Sequence, residues 1–300
     1  MKPPAFAYHA PETLGAAIDA LAEAGADGKV LAGGQSLIPL LNMRLAAPGH
    51  IVDINRVTEL DYVHIAPPEP ASISDDGVLV GALARHRRVE RSAAAARVQP
   101  LIGQALRHVA HPAIRNRGTV VGSLAHADPA AELPAVLSVL GGSVQVASAD
   151  GRRSVPAAEF FAGPLEPSLR TGELAVSAFF PALAPRSGTA FAEFSRRHGD
   201  YGLAGVAALV ALDDDLRVVT ARVGCLGVAD TPVVLDLAAA LGHRPPDSCA
   251  WAAAAAQARS EVSPAADIHA SADYRRHLVG VLTDRALRAA AANALPGADS

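Results

Sequence analysis

The sequence predicts an α+β protein of about two domains, with a small parallel α/β unit at its start and strands followed by helices near its end. Two observations favour this class. A strand, a glycine turn, a helix and a second strand succeed one another in the first 55 residues, and the pattern changes after a proline cluster at residues 181–185. Half of the 300 residues are hydrophobic, which is ample material for the cores of such units.

The first unit is predicted from alternating patterns of apolar residues. Apolar positions recur every three or four residues from Glu12 to Ala24 and indicate a helix. The apolar run 29–32 then indicates a buried strand, two glycines break it, and residues 36–45 indicate a second helix before a strand at 51–54. This order predicts parallel strands joined by a right-handed crossover.

The rest of the chain mixes helices and strands. Asp128 followed by Pro129 predicts the N-cap and first residue of an apolar helix that runs to Leu140. Apolar residues on both sides of Asp150-Gly151 predict a hairpin over 144–155. The other expected elements are a strand at 78–80, a helix at 100–109, a polar loop at 111–118, a glycine-broken segment at 119–126, strands near 189–195 and 218–224, and helices near 232–241, 249–259 and 271–293.

Composition excludes several classes of function. The net charge of −4 and the lack of a basic run argue against nucleic-acid binding. Two cysteines cannot supply a disulfide framework, a four-cysteine zinc site or an iron–sulfur cluster within this chain. The 11 histidines are scattered, so no metal site is expected, and no nucleophile motif of a hydrolase occurs. No apolar stretch is long enough for a membrane span, so we expect a cytoplasmic protein.

A glycine turn at Ala32, Gly33, Gly34, Gln35 and Ser36 is the first candidate binding loop. Two glycines between a strand and a helix allow a tight turn and a close approach of a ligand to the backbone. A phosphate cradle and an ordinary turn capped by Ser36 both explain it. Neither the dinucleotide fingerprint nor the P-loop pattern is present.

The polar stretch 114–129 is the second candidate. Its Thr119, Ser123 and backbone amides could bind phosphate oxygens, and Asp128 could accept hydrogen bonds from ribose hydroxyls. The alternative makes Asp128 only a helix cap and His126 a surface or core residue. Further along, Tyr201 ends a polar patch at 196–201 that is either a solvated face or a platform for a planar ring.

Taken in order, these stretches resemble a known family. The motifs are A-G-G-Q-S-L-I-P from residue 32, V-D-I at 52–54, R-N-x-G-T-x-x-G-S-L-A-H-A-D-P at 115–129, G-D-Y at 199–201 and the tail 267–287. Together they resemble the FAD-binding medium subunit of molybdenum hydroxylases, the family of the flavoprotein subunits of aerobic carbon monoxide dehydrogenase and xanthine dehydrogenase-type enzymes. The resemblance extends from residue 6 to residue 287.

The resemblance implies a fold and a cofactor site. It implies a PCMH-type FAD-binding domain in two parts, a small α/β unit at 1–56 and a larger α+β unit at 57–178. A C-terminal domain at 179–300, with a three-stranded sheet and helices, is expected to follow. The implied FAD contacts, with no catalytic residue and no metal ligand among them, are Ala32, Gly33, Gly34, Gln35, Ser36, Leu37, Thr119, Val120, Val121, Gly122, Ser123, Asp128 and Tyr201.

The resemblance also implies an oxidoreductase that transfers electrons. The partners would be an iron–sulfur small subunit with two [2Fe–2S] clusters and a large subunit with the molybdenum cofactor, and FAD would pass electrons to an external acceptor. A stand-alone FAD-dependent oxidoreductase and a scaffold that has lost FAD are the alternatives. Val121 motivates the second, because it replaces a family glycine and is expected to hinder the backbone's approach to the diphosphate.

Overall fold

A computed structural model describes residues 2–66 and 76–297. Within these residues the strands form sheets of three, five and four strands and one two-stranded ribbon. Each larger sheet is built from one consecutive part of the chain, so the three sheets follow one another along the sequence. The α+β class is confirmed.

The first sheet is parallel, with β3 between β1 and β2. Helix α1 lies against it through a stripe of buried Leu14, Ala17 and Leu21, and the Thr13 hydroxyl caps the helix by accepting from the Ala16 N–H. The helix ends at Gly25, which has a φ of 58°. The elements are β1 (Ala7–His9), α1 (Leu14–Ala24), β2 (Gly28–Leu31), α2 (Leu37–Met43) and β3 (His50–Asp53).

The second sheet is antiparallel, in the order β4-β5-β10-β6-β7. Strand β10 crosses the expected boundary at 178/179 and stays paired in this sheet to Pro181. The elements are β4 (Val63–Ala66), β5 (Gly77–Gly81), α3 (His86–Glu90), α4 (Ala93–Val98), α5 (Pro100–Leu106), α6 (Pro112–Arg115), α7 (Val120–His126), α8 (Glu132–Leu140), β6 (Ser143–Ser148), β7 (Gly151–Pro156), α9 (Ala157–Phe160), β8 (Phe161–Gly163), β9 (Glu166–Pro167) and β10 (Leu174–Pro181).

Three local expectations in this unit are wrong. The polar loop expected at 111–118 contains the short helix α6. The glycine-broken segment forms a continuous helix, α7, because the Thr119 hydroxyl accepts from the Gly122 N–H and caps it. Asp128 does not cap α8, which begins at Glu132 with Ala131 as its N-cap. The Asp128 carboxylate instead accepts from the Ala130 N–H at 2.8 Å and closes a turn before the helix.

The third sheet is antiparallel and has four strands rather than three. The segment 232–241, expected to be helical, begins as strand β14 because its backbone pairs with the edge of β13. Helix α12 starts at the Ser271 cap and packs on the sheet. It comes so close to Gly188 that a side chain at this position would collide with the Ala290 carbonyl. The elements are β11 (Ser187–Ser195), β12 (Gly202–Leu212), β13 (Val218–Leu226), β14 (Val233–Asp236), α10 (Ala238–Leu241), α11 (Trp251–Glu261) and α12 (Ala272–Ala294).

Two apolar cores hold the chain together. One joins the first and second units, from Leu14 and Val52 to Val80 and Leu137, and the other fills the third unit. Helix α8 lies between them, and next to it the Gly227 N–H donates to the Pro129 carbonyl at 2.8 Å. None of the helices in the described residues is both long and apolar enough to cross a membrane.

Candidate cofactor site

The two glycine loops touch each other. A Cβ built on Gly33 would lie 2.5 Å from the carbonyl oxygen of Arg117 and 2.8 Å from the Cα of Gly118, so only glycine allows this contact. The next residue, Gly34, has a φ of 72° and turns the chain towards α2. The first loop, residues 32–36, and the second loop, which here means residues 117–123 and includes the first turn of α7, therefore form one surface.

The first loop keeps polar groups available for a ligand. Ser36 occupies the N-cap position of α2, but its hydroxyl makes no capping hydrogen bond. The interpretation of this loop as a turn capped by the Ser36 side chain is therefore wrong. Gln35 folds back and donates from its side-chain amide to the Gly33 carbonyl at 3.1 Å.

The second loop presents less side chain than the sequence indicated. Thr119, Val120 and Val121 are buried, whereas Gly122 and Ser123 are partly exposed. The Thr119 hydroxyl oxygen already accepts from the Gly122 N–H at 3.1 Å. Of the expected contacts in this stretch, Gly122 and Ser123 are the residues open to a ligand.

Val121 does not obstruct the loop. Its side chain is 2% exposed and packs in the core shared by the first two units. It lies in the first turn of α7, and its φ is not positive. The expectation that valine adds bulk at the loop surface is wrong, because the side chain packs in the apolar core. Val121 therefore no longer supports the hypothesis of a scaffold that has lost FAD.

A polar bridge that the sequence did not reveal connects the two loops. The Asn55 side-chain amide donates to the Ala32 carbonyl at 2.8 Å, and the Arg85 guanidinium donates to the Asn55 side-chain oxygen at 2.6 Å. Arg85 also donates to the Arg117 carbonyl at 2.6 Å. Asn55 directly follows the V-D-I strand, which is a weak sequence signal, whereas no motif marks Arg85.

Tyr201 and Asp128 lie next to two glutamates that the sequence analysis also missed. Burial raises the pKa of Glu132 to about 7, helped by Asp128 and opposed by the α8 backbone and Arg115. Burial, with the charge of Glu132, raises the pKa of Glu193 to about 8. Among the described residues, one carboxylate oxygen of Glu193 is buried and has no hydrogen-bond partner. Glu132 and Glu193 therefore form a pair of carboxyl groups with raised pKa values where α8 meets the third sheet.

Tyr201 presents an open aromatic face beside this group. The residue is 67% exposed. Desolvation of its hydroxyl, followed by the negative charges of Asp128 and Glu132, raises its pKa. The phenol therefore stays protonated at neutral pH, and the exposed ring can stack on a planar group.

These features fit FAD. The oxygens of a diphosphate need a close approach to the protein backbone. The site offers this at Gly33, where the loops pack without a Cβ, at Gly34 with its positive φ, and at the partly exposed Ser36. An exposed tyrosine suits a flavin or adenine ring. The fold and site therefore suit a dinucleotide cofactor with a planar ring system.

Comparisons with known proteins identify the family. Residues 4–183 match the FAD binding domain in molybdopterin dehydrogenase, and residues 189–290 match the CO dehydrogenase flavoprotein C-terminal domain. The 6-hydroxypseudooxynicotine dehydrogenase complex subunit alpha of Paenarthrobacter nicotinovorans is 40% identical, over 100% of this chain and 99% of its own length.

Solved structures agree with these matches. Carbon monoxide dehydrogenase from Hydrogenophaga pseudoflava has a chain that is 34% identical, with a TM-score of 0.88 over 98% of this chain and 99% of that one. Quinoline 2-oxidoreductase from Pseudomonas putida 86 has one that is 37% identical, with a TM-score of 0.86 over the same shares. The chain belongs to the family of FAD-binding medium subunits of molybdenum hydroxylases, and its cofactor is FAD. The resemblance inferred from the sequence motifs is confirmed.

Proposed function

We propose that this chain is the flavin subunit of a three-subunit molybdenum hydroxylase in the cytoplasm. It receives electrons from the [2Fe–2S] clusters of a small subunit, and a large subunit holds the molybdenum cofactor. The proposal rests on the likeness to a carbon monoxide dehydrogenase medium chain of Hydrogenophaga pseudoflava over 97% of this chain. Bound FAD would supply a centre that takes up single electrons and releases them in pairs.

In this proposal the two loops hold the diphosphate of FAD between them. Ala32, Gly33, Gly34, Gln35, Ser36 and Leu37 bind from one side, and Thr119, Val120, Val121, Gly122 and Ser123 from the other. The two valines contribute backbone only, since their side chains are buried. Asp128 and Tyr201 lie towards the flavin ring, where Tyr201 provides the aromatic face.

We propose a domain division that fits this arrangement. We keep the first boundary at 56/57, after the strand β3 and the turn that carries Asn55. The second boundary belongs after Pro181 rather than at 178/179, because β10 pairs with β5 up to that residue. FAD then binds between the first two units, and the third closes the side near Tyr201.

The segment 38–45, which comprises most of helix α2 and the two residues after it, provides the proposed docking surface for the iron–sulfur subunit. Ile38, Met43 and Leu45 are 42%, 51% and 71% exposed, and they follow directly on the first FAD loop. Electron transfer requires the clusters to come close to the flavin, so exposed apolar side chains beginning at this loop suit an obligate subunit.

Co-expression with the neighbouring candidate small and large subunits tests the function. We expect the three chains to co-elute in size-exclusion chromatography with flavin, iron and molybdenum, in the soluble fraction of the cell. A chain that ignores both partners and turns over a substrate alone would indicate the stand-alone oxidoreductase instead.

A paired substitution tests the docking surface. The double variant Met43→Glu, Leu45→Glu is expected to abolish co-elution with the small subunit while the chain retains its FAD. Both side chains are exposed in this chain, so the substitutions leave its own core intact. Ile268→Glu is the control, since Ile268 is 95% exposed in the C-terminal unit. This placement of the partner is contradicted if the control loses co-elution to the same extent, or if the double variant loses its FAD.

A further inference from the structure

Arg85 and Asn55 form a hydrogen-bonded bridge between the two FAD loops, although neither residue belongs to loop 32–36 or loop 117–123. Asn55 reaches the first loop at the Ala32 carbonyl, and Arg85 reaches the second at the Arg117 carbonyl. The bond between Arg85 and the Asn55 side-chain oxygen, at 2.6 Å, closes the bridge. Each loop is therefore tied to the other through side chains of two different units.

The bridge ends at the atom against which Gly33 packs. The Arg117 carbonyl oxygen that accepts from Arg85 is the same oxygen that lies 2.5 Å from a Cβ built on Gly33. Moving this carbonyl changes the gap between the loops directly. The backbone of the segment after Arg85 is fixed as well, since the His86 N–H donates to the Gly118 carbonyl at 2.9 Å.

The guanidinium of Arg85 is hydrogen-bonded to neutral acceptors only, while the charges of Asp61 and Asp53 act on it from a longer distance. Within residues 2–66 and 76–297 its hydrogen-bond partners are a carbonyl and a side-chain amide, and it forms no salt bridge. Burial and the nearby Arg117 lower its pKa. Arg88, one turn further on α3, contrasts with it because it is exposed and pairs with the Asp61 carboxylate. A partly buried cation with two neutral acceptors suits a geometric role, which the planar fork of arginine serves and lysine serves less well.

We propose that Arg85 is a positioning residue that, together with Asn55, sets the gap between the two FAD loops and thereby the affinity for the diphosphate part of FAD. The proposal rests on the FAD site proposed above. Arg85 acts through the Arg117 and Ala32 carbonyls, and the backbone of the loops contacts the cofactor.

The experiment measures dissociation constants of the full-length chain, freed of its flavin, by titration with FAD and with ADP and FMN as probes. Arg85→Met is expected to weaken FAD and ADP binding by about 10- to 100-fold, because both carry a diphosphate. FMN lacks that group, and its affinity is expected to stay within about twofold. Arg85→Lys, which can still reach one carbonyl, is expected to recover part of the loss. Arg88→Met is the matched control and is expected to bind FAD like the unmodified chain.

A double-mutant cycle with Asn55→Ala tests the bridge itself. Because each variant breaks the same bridge, the double variant is expected to lose little more than Arg85→Met alone. Additive losses, a loss of FMN affinity equal to that of FAD, or an equal effect of Arg88→Met would each overturn the positioning role. The dependence of FAD affinity on salt concentration is a further test. If it differs between Arg85→Met and the unmodified chain, the Arg85 charge contacts the diphosphate directly, and the positioning role is overturned.

Hydrogen exchange separates this proposal from the FAD site on which it rests. Addition of FAD to the unmodified chain is expected to protect peptides covering 32–37 and 117–123. Lack of protection there refutes the proposed site. Protection there, with unchanged FAD affinity in both Arg85 variants, refutes the bridge alone.

Discussion

Replacing Glu193 by glutamine is expected to stabilise the protein increasingly as the pH rises. Burial and the charge of Glu132 raise the pKa of Glu193 to about 8 in the folded chain, from an ordinary value of 4.5. Between these values the folded state keeps a proton that the unfolded state has released. The free energy of unfolding therefore falls as the pH rises through this interval. Glutamine has no such proton and removes this part of the pH dependence.

The magnitude follows from the linkage between proton binding and stability. One proton difference corresponds to a slope of about 1.4 kcal/mol per pH unit. Glu193 is partly exposed and shares its environment with Glu132, whose own raised pKa adds to the slope of the unmodified protein. We therefore expect the advantage of Glu193→Gln to grow by about 2 kcal/mol from pH 5 to pH 8, below the limit for a full proton.

Urea unfolding of the flavin-free chain at several pH values measures this difference. Trp251, the one tryptophan in the sequence, is buried in the C-terminal core and reports unfolding of that unit by fluorescence. Glu159→Gln is the control, because Glu159 is exposed. If the stability curves of Glu193→Gln and the unmodified chain run parallel from pH 5 to pH 8, the carboxyl pair with raised pKa values does not exist as described.

Three further substitutions test the loops and the core. Gly33→Ala is expected to weaken FAD binding about 10-fold or more, since its Cβ meets the facing carbonyl, whereas Gly103→Ala points into open space and is expected to be neutral in the same titration. Val121→Gly is expected to lower the free energy of unfolding by about 2–3 kcal/mol in urea without tightening FAD binding, and tighter binding would contradict the buried side chain. Arg115→Met removes one of the two arginines that bind the Glu90 carboxylate, Arg87 being the other, and is expected to cost about 2 kcal/mol at pH 7. Because these arginines lower the pKa of Glu90 from its ordinary value of 4.5, the loss is expected to shrink only as the pH falls below that value, and a pH-independent loss would contradict the ion pair.

Local sequence patterns predict the elements that have a cap or a helical stripe. Helix α12 follows from Ser271 and its apolar repeat, and the first parallel unit follows from glycine breaks between apolar runs. Strand β12 lies in the middle of a sheet and is buried along almost its whole length, so it lacks the alternation that marks a half-exposed strand. Strand β14 owes its conformation to backbone pairing with β13, which local sequence does not encode.

The motifs around Gly33, Thr119 and Tyr201 determine by themselves that this chain belongs to a FAD-binding family, because spacing and residue type along the chain carry that information. Which side chains face the cofactor depends on the tertiary structure. The helical phase of α7 turns Val121 into the core, and the turn before α8 takes Asp128 out of the cap position. The bridge of Asn55 with Arg85 and the carboxyl pair of Glu132 and Glu193 join residues far apart in sequence. Only folding brings such partners within hydrogen-bonding or electrostatic reach, and burial increases the energetic effect of their charges.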